Sequence, residues 1–204
     1  MGRPPKLVGG PTAPGAPLDL ATAEAHVRSV SADSATVQRC LTAAIQDIQE
    51  WLGRPILSSD WECRFDSFPG WWLYLPLGGV TEITSIIYRA AGASTDTTID
   101  NTTYALDADY GPSRIGSKYG YLWPTALLET VTPIVVTVKA GWANAGAVPT
   151  TVVQAILLQT GHYYENRESV VLGTNASAES RALVLGVESL IANYKVHGLI
   201  NASR

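Results

Sequence analysis

Catalysis needs side chains that can move a proton, hold a metal or attack an electrophile, and this sequence scatters the few it has. His26, His162 and His197 stand on three separate segments, and none falls in a metal-ligand spacing such as His-Glu-x-x-His. Cys40 and Cys63 make neither a Cys-x-x-Cys pair nor a disulfide framework. There is no Gly-rich phosphate cradle and no Gly-x-Ser-x-Gly elbow. Two groupings remain. Asp107 and Asp109, beside Tyr110-Gly-Pro, would be a carboxylate pair for acid–base work, though two loop carboxylates in water is the plainer reading. Trp71-Trp72 would serve as a platform for a sugar ring or a base. Tryptophans at the start of a strand more often cover a sheet or a contact between subunits. The expectation is no catalysis, no metal and no cofactor, with a carbohydrate-binding module or small enzyme using Trp71, Trp72 and the loop carboxylates as the alternative.

Composition points the same way. With 204 residues the chain can bury one good core, or a core plus an inserted lobe. Charged residues make up only 16%, which leaves much neutral and aromatic surface of the kind that suits permanent contact with other subunits. The net charge of −4 argues against a protein that grips DNA phosphates by bulk charge. No apolar run reaches the roughly 18 residues of a membrane span. The first residues hold no apolar stretch like that of a secretory signal. The glycosylation triplets at Asn101, Asn175 and Asn201 therefore read as chance.

The elements that must position these side chains follow from hydrophobic period. Residues 1–17 hold five prolines and four glycines, the composition of a flexible arm. A short helix follows at about Thr22 to Ser29, with Asp19 or Thr22 as its cap. Val37, Cys40, Leu41, Ala44, Ile45, Ile48, Trp51 and Leu52 recur at three- and four-residue spacing, which predicts a helix over 34–52. Gly53 ends it, and Arg54 is placed to meet its last carbonyls. The period then changes to two. Trp61, Cys63 and Phe65 alternate with charged residues. Further strands are predicted at Trp71 to Leu75, Ile83 to Arg89, Tyr104 to Leu106, Arg114-Ile115 and Pro133 to Lys139.

Helical spacing returns over 149–167, where Val152, Ile156, Gln159 and Tyr163 form one row and Val153, Leu157, Thr160 and Tyr164 a second. This helix, apolar over most of its first three turns, is predicted to be central. Its polar end, Glu165 to Glu168, should reach solvent or a partner. A last helix is predicted over 183–194, with Leu183, Val187, Leu190, Ile191 and Tyr194 on one face. The expected fold class is α+β: a small helical bundle with an antiparallel β lobe inserted at about 56–142. The expected organisation is an arm (1–17), one domain (18–194) and a C-terminal tail (195–204).

These segments, in this order, resemble the adaptor family of tailed-phage head–tail connectors. The resemblance is carried by Leu20 to Arg28 and Trp51-Leu-Gly-Arg-Pro-Ile. It continues through Asp60-Trp61, Phe68-Pro69, Leu73-x-Leu-Pro76, Ile83-x-Ser-Ile-x-Tyr88 and Trp123-Pro124. It ends with Val136-x-Val-x-x-Gly-Trp142, Val148-Pro149, Tyr164-Glu-Asn-Arg-Glu168 and Leu185-Gly-Val-Glu-Ser-Leu-Ile-x-x-Tyr-Lys195. It covers roughly 18–197. The set departs from the family where Val184 replaces a frequent proline and Lys195 a frequent arginine.

The resemblance implies a structural virion protein in the neck, assembled in the host cytoplasm. Its copies, commonly about twelve, would form a ring between the portal protein and a stopper or tail-terminator protein. That ring would complete the head after packaging and line the channel through which DNA passes without sequence-specific binding. Such a head-to-tail ring needs two unlike patches on each subunit. Trp71, Trp72, Glu165, Arg167 and Glu168 are the expected subunit contacts. Leu190, Tyr194, Lys195, Val196, Leu199, Ile200 and Arg204 are expected to dock on the portal, as the closing helix and tail of such adaptors do.

Overall fold

A computed structural model describes residues 6–11, 16–29, 33–68, 70–108, 112–166 and 186–196. The fold is α+β. The chain divides into two compact units, a helical one of residues 14–52 and 144–195 and a β unit built mainly of residues 53–143.

The helical unit contains α1 (Leu20–Val27), α2 (Ser34–Leu52), α3 (Thr150–Glu165) and a short helix α4 over 186–191 that runs into a 3-10 turn at Ala192–Tyr194. The first three pack on one another pairwise. Along α2 the buried stripe is Val37, Leu41, Ala44, Ile48 and Leu52. Cys40, Ile45 and Trp51, expected in that stripe, flank it and are half-buried. At about 100° per residue Ile45 lies roughly 20° beyond Leu52, at the margin of the stripe, where it is covered only in part. Gly53 ends α2 at φ 66, the left-handed position that glycine adopts without strain. On α3, Val152, Ala155, Ile156, Leu157, Gln159 and Thr160 are buried.

The polar atoms this brings inside are satisfied. The Thr160 hydroxyl donates to the Ile156 carbonyl at 2.7 Å, and Gln159 reaches Asp47 at 3.5 Å. Two tyrosines then tie α3 to α2: the Tyr163 hydroxyl donates to Asp47, and the Tyr164 hydroxyl donates to Asp33 at 2.7 Å. Asp33, at the entry to α2, thus serves as an anchor for α3.

In the β unit, β1 (Lys6–Pro11), β2 (Ser59–Phe65), β8 (Ile134–Ala140), β4 (Val80–Tyr88) and β5 (Thr97–Thr98) form an antiparallel sheet in that spatial order. β3 (Trp72–Tyr74), β7 (Arg114–Ser117) and β6 (Tyr104–Asp107) form a second. β8 sets the core by strict alternation: Ile134, Val136, Val138 and Ala140 are buried, while Val135, Thr137 and Lys139 turn outward. Its register places Val136 opposite Cys63 on one side and Ile86 on the other. Full burial of each such aliphatic side chain stabilises by about 1.5–3 kcal/mol before entropy is charged.

Several boundaries differ from the sequence pattern: α1 runs Leu20–Val27 where Thr22 to Ser29 is expected. Residues 6–11, expected as part of an arm, are an edge strand on β2; Pro11, which has no N–H to donate, ends it. β4 starts at Val80 because the turn at Gly79 (φ 67) releases the chain there.

The Cys63 thiol is fully buried in this core, and burial with the neighbouring Glu62 charge pushes it up to about 12. A raised thiol pKa means that unfolding releases a proton in the window between the ordinary value near 9 and about 12. Stability tied to Cys63 is therefore intact below about pH 9 and falls above it, by up to about 1.4 kcal/mol per pH unit. Denaturant midpoints measured from pH 8 to 11 should fall more steeply for the natural chain than for Cys63→Ala, and equal slopes would contradict this.

Candidate functional site

Among the described residues, no three His, Cys, Asp or Glu side chains gather as a metal site would require. No helix among them is long and apolar enough to cross a membrane. His26 lies on α1, and His162 lies on α3 with its Nδ1 3.1 Å from the Asn166 amide. His197 and Asp109 fall outside the described residues. Asp107 is held by Arg114 at 2.7 Å. The Arg114 guanidinium, held above its usual range by Asp107 and then by Tyr74, lies 4.1 Å over the Trp72 ring. Across the strand pair, Trp72 sits opposite Gly116, where a side chain would meet the indole at 2.5 Å. The indole thus packs on Gly116 and Arg114 while Trp72 stays 40% exposed.

What the β unit does offer is an exposed aromatic end. On the small sheet, Leu73, Ile115 and Tyr104 face inward, while Trp72, Tyr74 and Arg114 face outward. Because Trp72 is opposite Gly116, Trp71 falls beside Ser117 and the turn that carries Tyr119, Tyr121 and Leu122. A part-buried aromatic stack joins these two segments. The Phe68 and Trp123 rings lie 5.3 Å apart and 9° from parallel, and Tyr88 meets Phe68 edge-on at 5.9 Å. Phe68 precedes Trp71, and Trp123 follows Leu122. Trp71 (75% exposed), Tyr119 (104%), Tyr121 and Leu122 (82%) are the exposed apolar residues on these two segments. Lone exposed apolar residues are ordinary on a protein surface; these four lie on two segments joined by the Phe68–Trp123 stack.

Tyr119, Tyr121 and Leu122 are not predicted by periodicity. They lie after β7 in a segment with no strand alternation, and the one readable signal is the Tyr-Gly-Tyr at 119–121, whose Gly120 takes φ 88.

A concavity on the outer face of the larger sheet has a volume of about 420 Å³ and is lined by Glu62, Arg64, Arg89, Asp96 and Glu129 among others. Four of its five charged residues are paired. Arg64 pairs with Glu62 at 2.6 Å and Arg89 with Asp96 at 2.7 Å, which draws the exposed Asp96 carboxyl below its usual range.

The other expected contact residues lie in two places. Glu165 is the exposed last residue of α3. Leu190 and Tyr194 are half-buried in the closing helical segment, while Val187 and Ile191 on the same segment are fully buried. Lys195 is exposed and closes the segment through its N–H to the Ile191 carbonyl at 3.1 Å. Val196 is half-buried and belongs to the β unit. Arg167, Glu168, Leu199, Ile200 and Arg204 fall outside the described residues, as does Leu183. Arg54, expected at the α2 carbonyls, instead lies 4.0 Å over the Trp142 ring, and desolvation lowers its pKa.

The chain is similar in fold to solved structures of gene transfer agent (GTA) particles. A chain of the neck of an empty GTA particle, computed with C6 symmetry, superposes with a TM-score of 0.76 at 23% identity, covering 98% of this chain and 100% of that one. A chain of the neck of the native particle, computed with C12 symmetry, gives 0.74 at 21%, covering 98% and 100%. One from the virion of the native particle gives 0.74 at 22%, covering 96% and 98%. No protein-family model and no curated protein matches the chain.

Proposed function

We propose that this chain is a structural neck protein of a tailed, phage-like particle. In this reading it is an adaptor subunit that assembles head-to-tail into a ring of about twelve copies on the portal. The ring completes the head after packaging, receives a stopper or tail protein, and surrounds the channel through which DNA passes. The observation that carries this reading is the fold likeness to GTA neck chains over 98% of this chain and 100% of theirs. A likeness of that extent takes in both the helical and the β unit. The six- and twelvefold symmetry of the neighbouring structures favours a ring. The net charge of −4 favours a channel that DNA slides past without sticking.

In such a ring the aromatic end, with Trp71 and Trp72, is one of the two unlike patches that head-to-tail contact requires. The helix end at Glu165, Arg167 and Glu168 belongs to the other. Portal docking falls to the closing segment and tail: Leu190, Tyr194 and Lys195, then Leu199, Ile200 and Arg204. Burying Leu199 and Ile200 in a portal groove would contribute about 1.5–3 kcal/mol each before ordering costs. Repetition around a ring turns even a weak contact into a strong one. No step in this role requires catalysis.

Deleting residues 197–204 and mixing the product with the portal protein of the same particle tests the docking assignment. Co-sedimentation with the portal should fall at least about tenfold, a loss of about 1.4 kcal/mol or more per site. Undiminished co-sedimentation would show that the tail is not the anchor.

A further inference from the structure

We propose that Gly78 is a seat for Val196, and that this contact latches the C-terminal segment to the β unit. A side-chain carbon on Gly78 would lie 2.1 Å from Cγ2 of Val196, 3.0 Å from its Cβ and 3.2 Å from its Cγ1. The whole valine side chain thus faces the space that Gly78 leaves empty. The seat itself cannot back away. The Gly78 N–H donates to the Gly53 carbonyl at 3.0 Å, and the Gly79 carbonyl accepts from the Gly141 N–H at 3.0 Å. Arg54 presses on Gly79 from the far side, where a side-chain carbon would come within 2.5 Å of its guanidinium, and Trp142 backs that guanidinium at 4.0 Å. Leu77 and Val80, on either side of the turn, are 5% and 3% exposed. A methyl group on Gly78 would therefore have to expel Val196.

The latch changes what the tail can do. Val196, expected among the portal-docking residues, is used within the chain, and it is the residue from which residues 197–204 continue. If they dock on a portal, which rests on the function proposed above, part of the ordering cost has been met before binding.

The exposed Lys195 makes the latch measurable, because trypsin cuts after lysine and the Lys195–Val196 bond must leave its seat to enter a protease. Cleavage there follows the population of the open form. In the full chain, mass spectrometry should find this cut at least about tenfold faster in Gly78→Ala than in the natural chain. Val196→Gly, which removes the occupant and leaves the seat intact, should accelerate it comparably. Gly70→Ala, where a side chain meets nothing within 4 Å, should not. Natural rates in both Gly78→Ala and Val196→Gly would overturn the latch, and if Gly78→Ala fails to fold, Val196→Gly decides alone. Faster cleavage with unaltered portal binding would leave the latch standing and count against the docking role instead.

Discussion

Gly141→Ala is expected to cost about 2–6 kcal/mol of folding stability. Gly141 follows β8 at φ 114, a conformation L side chains rarely adopt. Holding a non-glycine residue there costs about 1–3 kcal/mol. The added carbon would also stand 2.4 Å from the Leu57 carbonyl oxygen and 2.8 Å from the Ser58 nitrogen. Both are backbone atoms, so no rotamer change relieves the clash, and overpacking of this kind adds about 1–3 kcal/mol. Relief by backbone movement would break the paired bonds at this crossing. The Trp142 N–H donates to Ile56 at 2.9 Å, and the Ser58 N–H donates to Trp142 at 2.9 Å. Equilibrium unfolding in urea measures the loss, and a change below about 1 kcal/mol would contradict this geometry at the strand end.

Ile156→Ala should cost about 2–5 kcal/mol, the usual range for emptying a fully enclosed aliphatic site. Ile156 is 0% exposed on α3, and its neighbours along the buried face, Val152, Ala155 and Thr160, are equally enclosed. Ile45→Ala is the informative companion. The two residues are identical and both lie on amphipathic helices, but Ile45 flanks the α2 stripe and is half-buried. Its truncation should cost less than about 1.5 kcal/mol. Similar losses for the two would mean that Ile45 lies in the core stripe after all.

That contrast marks how far the chain can be read unaided. The α2 and α3 stripes and the β8 alternation are legible because period alone decides which residues share a face. Ile45 falls on the wrong side of that rule because three- and four-residue spacing admits a row wider than the face a partner helix covers. Lys6–Pro11 has the composition of an arm because Pro and Gly disfavour strand locally, and the edge of β2, remote in sequence, supplies the bonds that override this. Trp71 and Trp72 stand out by type. Their partners Tyr119, Tyr121 and Leu122 do not, because the stack of Phe68 on Trp123 joins segments more than fifty residues apart. The position of Arg54, just past the helix stop, points to the α2 carbonyls. The Trp142 ring that holds it instead arrives from the far end of the β unit's sequence. The seat at Gly78 is likewise a property of two distant residues, and a glycine in a Gly-Gly turn gives no local hint of what it accommodates.

If many copies of this chain close a ring on a portal, the ring should be visible as added density. Negative-stain electron microscopy of the full chain mixed with the portal protein of the same particle tests this most directly. The predicted result is an added annular layer on one end of the portal, in rotational register with it, and loss of that layer when Trp71 and Leu122 are both changed to Ala. Portal particles without added density, with the chain remaining monomeric at every concentration mixed, would contradict it.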